Sequence, residues 1–251
     1  MPASALLLGA SAAARVASLN LCTDEYLLLV APPSQVVSVS YLSQDPLESP
    51  LWRVARRYKG NRGSIEDVIT AKPTLLLTMG GGGRATSLIA KRLGIRAVDL
   101  PYADSLAQVE QNLLIVASAV GNRSAADAWV QKIEQLRRSA PERAQDTIWI
   151  SGHGDTLAAG SLGTQWLRLA GLQQRALPGG RATLETLLTR PPKILVHSNY
   201  RSGQMSGETL WLTHPIVRHA GVRQLVTDGR PWTCMGPLMV QEVERLRKLA
   251  R

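Results

Sequence analysis

The sequence predicts an α/β protein built as two doubly wound lobes with mainly parallel sheets, joined by a long connecting α-helix. Three observations carry that prediction. Short β-rich runs alternate with helical stretches over two separate lengths of chain, the pattern of parallel sheets covered by helices. Between those lengths the alternation stops and amphipathic helical sequence takes over, with no Gly- or Ser-rich linker. One helix-plus-strand passage also occurs twice, as SIEDVITAKPTLLLT at 64–78 and TLETLLTRPPKILVH at 183–197. Aligned, Glu66 falls on Glu185, Thr70 on Thr189, Pro73 on Pro192 and Leu76 on Leu195, while Ile65, Val68 and Ile69 match Leu184, Leu187 and Leu188. The offset of 119 residues is nearly half the chain.

Each element follows from local chemistry. Residues 1–14 read as a signal peptide, an apolar run at 5–10 leading into the small-residue stretch ASAAA, so export is expected. The usual positive charge near the start is missing, so either the start is truncated or the signal is a weak one. The run is too short to span a bilayer. The N-terminal lobe is assigned to 15–120. RVASL (15–19) and VVSVS (36–40) are its first strands, separated by a helix that opens near Thr23 and is stopped by Pro32 and Pro33. Ser64 is placed as an N-cap with Asp67 three residues on, and Pro73 ends that helix before a strand at 75–78. A helix at 85–93 closes at Gly94 and IRAVDLP forms the next strand.

A long amphipathic helix, SLAQVEQNLLIVASAVG, then ends at Gly121, and the connecting helix is assigned to 121–143. It carries Trp129, Ile133 and Leu136 on one face and stops at Pro141. The C-terminal lobe, 144–251, restarts the alternation with TIWISG, LGTQWLRLAG, the repeated passage, VRQLVTDGR and a final helix from about Pro237. A stiff helical connection predicts small relative motion of the lobes, with a ligand cleft between the carboxyl ends of the two sheets.

Composition narrows the function. Hydrophobic residues at 45% against 19% charged allow a full core and argue against disorder. With no Phe, Ala and Leu must fill most of that core, helped by six Trp and five Tyr. The net charge of +10 favours anionic partners, whether nucleic acid, an anionic lipid surface or a negatively charged small ligand. The densest cluster, RVARRYKGNR, holds Arg53, Arg56, Arg57, Lys59 and Arg62 without an acid and reads as a solvated surface helix. No helix-turn-helix, zinc-finger or RNA-binding signature accompanies it, so no nucleic-acid partner is expected. Cys22 and Cys234 form no C-x-x-C pair, which excludes structural zinc. His153, His197, His214 and His219 make no H-x-x-x-H or H-E-x-x-H arrangement, so no metal-ion site is expected. The glycine run TMGGGGR at 78–84 matches neither G-x-x-x-x-G-K-[ST] nor G-x-G-x-x-G. With no G-x-S-x-G, Cys–His context or acidic metal cluster, no catalytic residue is assigned and no enzyme is expected.

From RVASLNLCTDEYLLL to MGPLMVQEVERL the chain resembles the substrate-binding proteins of ABC importers that take up cobalamin, ferric siderophores and haem, in which two lobes are bridged by a long helix. The S-x-E-x-I-x-x-x-x-P pattern before a strand is present as SIEDVITAKPTLLL, with TLETLLTRPPKILV as its counterpart. The resemblance implies a periplasmic, monomeric binding protein that meets arginines of the transmembrane permease subunits through Glu66 and Glu185. It also implies ligand contacts at the cleft-facing strand ends: Tyr41, Gly81, Gly82 and Arg84 in the first lobe and Trp232 in the second; His153, just after a predicted strand, and Tyr200, in a polar loop, are further ligand-binding candidates of the second lobe. The ligand it implies is a metal chelate rather than a resident cofactor. The basic balance and Arg84 rank a ferric siderophore first, with cobalamin or haem as alternatives. Cys22 and Cys234 fall at cleft-facing positions, where an inter-lobe disulfide, a thiolate against the chelate, or two separate thiols all remain open. The competing classes are a two-lobed cytoplasmic enzyme and a membrane-associated helper without transporter docking.

Overall fold

The computed structural model describes residues 13–81, 84–200, 213–218 and 221–251. Two sheets form, and every strand pair in both is parallel. The first contains β1 (Val16–Ser18), β2 (Val36–Ser40), β3 (Lys59–Asn61), β4 (Leu75–Met79) and β5 (Arg96–Leu100), in the order β3-β2-β1-β4-β5. The second contains β6 (Gln145–Ile150), β7 (Leu172–Gln174), β8 (Ile194–Asn199) and β9 (Arg223–Asp228), in the order β7-β6-β8-β9. All five residues of β4 are buried, as expected of a central parallel strand covered on both faces.

The helices of the first lobe are α1 (Leu21–Val30), α2 (Trp52–Ala55), α3 (Ile65–Ile69) and α4 (Arg84–Arg92). Asn20 caps α1 by accepting the Thr23 N–H, and Ser64 caps α3 by accepting that of Asp67. Between the sheets stand α5 (Leu106–Val120) and α6 (Arg123–Arg138). Gly121, at φ 71, ends α5 in the left-handed region and reverses the chain. The two helices therefore run antiparallel, and Arg137 near the end of α6 pairs with Glu110 near the start of α5 at 2.9 Å. Trp129, Ile133 and Leu136 are buried on the inner face of α6. The second lobe adds α7 (Leu162–Leu169), α8 (Leu184–Thr189), α9 (Pro215–Arg218), α10 (Gly229–Cys234) and α11 (Met239–Ala250). Thr183 caps α8 just as Ser64 caps α3.

One continuous core runs through both lobes, from Val16, Tyr26 and Leu77 through Leu113 and Ile133 to Trp166, Val196 and Val243. Smaller clusters lie under α3 and α4 in the first lobe and under α8 and α9 in the second. Among the described residues, no helix is long and apolar enough to cross a membrane.

The structure corrects one local expectation. RVARRYKGNR is not a helix: the short α2 ends at Ala55, and Lys59–Asn61 pairs with Ser38–Ser40 as an edge strand. Its lack of alternating apolar residues hid the strand, because β3 is exposed at Lys59 and Gly60 and buries only Asn61. That asparagine donates to the Ser18 carbonyl and the Ser38 hydroxyl, each at 2.9 Å.

Candidate functional site

The carboxyl ends of the two sheets converge, and a chain of contacts holds them together. Cys22 of α1 is bonded to Cys234 of α10, with Cα atoms 5.3 Å apart. Beside that bond, the buried Glu25 carboxylate accepts the Leu238 N–H at 2.7 Å. Arg230 of the second lobe donates to the Pro46 carbonyl of the first at 2.7 Å, and the Tyr200 hydroxyl donates to Glu48. Gln165 of α7 donates to the Asp104 carbonyl at 3.2 Å and accepts the Leu106 N–H at 3.2 Å.

A cavity of about 380 Å³ opens between Pro46 and Leu47 on one side and Asn199, Asp228, Arg230 and Arg245 on the other. Its cations are already paired, Arg230 with Asp228 and Arg245 with Glu242, both at 2.6 Å. Burial works to raise the Asp228 carboxyl, but the Arg230 guanidinium overrides it and holds the group below its ordinary value. This flank of the cleft is therefore electrically balanced.

The first-lobe strand ends differ in character. Tyr41 directly follows β2 and is 54% exposed. Tyr102, just beyond β5, is 70% exposed and lies against Gly80, where a Cβ would collide with the tyrosine ring. Gly80 and Gly81 both adopt positive φ, a conformation that glycine adopts freely. Asp99 fixes this turn by accepting the Gly81 N–H at 2.9 Å and the Thr78 hydroxyl at 2.6 Å. Arg84 begins α4 on the same rim and is exposed. Tyr41 and Tyr102 flank the ends of β1 and β4, and three strand spacings separate β2 from β5 by about 14 Å.

Of the second-lobe residues, Tyr200 follows β8 and is 39% exposed. His153 sits in the turn Gly152–Gly154 immediately after β6. Gly82 lies outside the described residues. Trp232 departs from expectation: it offers no aromatic wall to a ligand because it is 4% exposed. Its ring centroid is 5.2 Å from that of Trp149, and its indole N–H donates to Thr227 at 2.7 Å. α10 turns it inward, where a large apolar ring with one satisfied polar atom is most stable.

Glu66 and Glu185 occupy the first turns of α3 and α8 and are both exposed. Among the described residues neither is in an ion pair, so each presents a free carboxylate on its own lobe. No three His, Cys, Asp or Glu side chains among the described residues converge to hold a metal ion. Sequence reasoning passed over Tyr102, Asp99, Glu48, Glu25 and Arg230. Tyr102 follows its strand as closely as Tyr41 does, so the rule applied to one applies to both.

This twin-sheet frame with a helical hairpin between is shared with known proteins, and a family model described as periplasmic binding protein matches residues 16–196. The chain is a periplasmic binding protein. Periplasmic binding proteins of this type bind small-molecule solutes, work with ABC-transporter permeases and are not enzymes. The periplasmic haem-binding protein HutB of Vibrio cholerae superposes with a TM-score of 0.73 at 18% identity, covering 94% of this chain and 98% of that one. A periplasmic haem-binding protein from Pseudomonas aeruginosa gives 0.66 at 19%, covering 94% and 91%. The periplasmic vitamin B12-binding protein BtuF of Vibrio cholerae gives 0.63 at 20%, covering 94% and 96%. At these identities the likeness is one of fold. No curated protein matches the chain significantly in sequence.

Proposed function

We propose that this periplasmic binding protein captures an anionic iron chelate in its inter-lobe cleft and presents it to the permease subunits of an ABC importer through Glu66 and Glu185. One observation carries the ligand class: Tyr41, Tyr102 and Arg84 stand exposed along the strand ends of a single lobe. Two aromatic faces suit a broad chelate, and the Arg84 guanidinium offers a bidentate contact to a carboxylate. A ferric siderophore and haem both fit this description. Haem gains support from the phenol groups, since a tyrosine oxygen is a competent axial donor to ferric haem iron. Similarity to solved haem-binding proteins adds to that reading. Cobalamin, for which no anionic group is required, ranks below both.

The docking reading rests on the matched placement of two free acids, one per lobe, in equivalent capped helices. Charge-assisted contacts to arginine are directional and steer encounter, while rim exposure keeps each one modest. Titration of the purified protein with ferric siderophores, haem and cobalamin tests the ligand. Submicromolar binding of an iron chelate, lost in Tyr102→Ala and Arg84→Ala, is expected; tight binding of cobalamin alone would overturn the assignment.

A further inference from the structure

The first-lobe edge carries charge that neither the cleft nor the docking acids use. Arg53, Arg56, Arg57, Lys59 and Arg62 are all exposed, and among the described residues none is in an ion pair. No acid interrupts the chain between Glu48, which is buried, and Glu66. Three of the cations, Arg53, Arg56 and Lys59, are held in place. The Arg53 and Arg56 guanidiniums lie 5.0 and 4.7 Å from the Trp52 ring centroid, and Arg56 donates to the Gln44 carbonyl at 3.0 Å. Lys59 donates to Thr70 and the Arg62 N–H to Asp67, both at 2.8 Å, which fastens the cluster to α3, the helix of Glu66.

We propose that this edge is a contact surface for anionic phospholipid headgroups beside the importer. Five clustered cations, two of them stacked on an amphipathic tryptophan, match the chemistry of an anionic bilayer surface, where basic residues meet phosphates and Trp settles at headgroup level. The geometry disfavours nucleic acid. The cations are spread over a four-residue helix, a turn and an edge strand, with no helix long enough to enter a duplex groove. Placing Glu66 against a membrane-embedded partner brings the attached edge toward the surrounding lipid. Only that orientation rests on the docking reading; lipid affinity itself is measured without the permease, so the two fail separately.

The test is co-sedimentation of the purified protein with vesicles of phosphatidylglycerol and phosphatidylcholine, or of phosphatidylcholine alone, at low and high salt. Binding only to the anionic vesicles, weakened by salt, is expected. The R53Q/R57Q/R62Q variant removes side chains that make no hydrogen bond among the described contacts, and it lowers the partition on the order of a hundredfold. Removing the same charge from the second lobe, as R190Q/K193Q/R218Q, leaves most of the binding. An equal loss in both variants would reduce the effect to net charge and overturn the proposal. Equal binding to neutral vesicles, or tighter patch-dependent binding to a DNA duplex than to anionic vesicles, would overturn it as well.

Discussion

Cys22 and Cys234 join α1 of the first lobe to α10 of the second across 212 residues of sequence. The bond closes nearly the whole chain into one loop, so in the loop-entropy account it restricts the unfolded state strongly. Replacing both residues by serine is expected to lower unfolding stability by about 2–5 kcal/mol. Urea denaturation with and without reductant measures this, and an unchanged midpoint would show the linkage to be dispensable.

Asp24 and Glu25 supply a pH signature. Burial pushes Asp24 up to about 8, against hydrogen bonds from Ser43 and the Ser40 N–H that act to lower it. Burial pushes Glu25 up to about 7, against the Leu238 N–H. The folded protein thus keeps protons that unfolded carboxyls release near their ordinary values of 3.8 and 4.5. The unfolded state binds fewer protons across that interval, so stability falls as pH rises through it to about 8. Thermal melts from pH 5 to pH 9 should show this decline, and Asp24→Asn with Glu25→Gln should flatten it. A melting point that climbs over the same range would contradict the assignment.

Charge reversal tests the twin acids. Glu66→Arg with Glu185→Arg should leave ligand affinity unchanged, because both side chains are exposed and, among the described residues, outside any ion pair. Affinity for the permease complex should drop about fivefold for each site, the scale of an exposed ion pair. Undiminished uptake by the double variant would remove docking from the account.

Gly80 gives a third handle on the cleft. Gly80→Ala places a methyl group into the Tyr102 ring at a φ of +78, and the backbone strain alone is about 1–2 kcal/mol. The variant should therefore lose stability and also weaken chelate binding by displacing Tyr102. Tyr102→Ala should weaken binding without the stability loss. If both variants bind normally, Tyr102 is not a ligand contact.

Trp232 separates core from wall. Trp232→Ala should cost about 3–5 kcal/mol of stability, as for other buried tryptophans. At a temperature where the variant stays folded, its ligand affinity should match the parent. A selective loss of binding in a stable Trp232 variant would return that residue to the cleft.

Most of the architecture was legible because periodicity and punctuation agree. Ser64, Pro73, Gly94 and Gly121 each sit where capping and breaking chemistry require, and β4 between them is buried along its whole length. The edge strand at Lys59–Asn61 escaped because a strand with two exposed positions carries no apolar alternation. Site residues on strand ends, such as Tyr41, could be placed from topology alone. Whether an aromatic residue there faces outward depends on the next turn of backbone, which is why Tyr41 is exposed and Trp232, carried on α10, is turned into the core against Trp149. Cross-lobe partners such as Glu25 with Leu238 depend on packing over 213 positions and leave no local trace.

The core that runs unbroken through both halves also decides who must do the work of release. Halves joined by apolar packing and a sulfur bond resist swinging apart, because opening would expose that shared core to water. On the proposed docking, unloading is then a task for the permease that engages Glu66 and Glu185 together, which would have to pry the receptor open like a sprung clip.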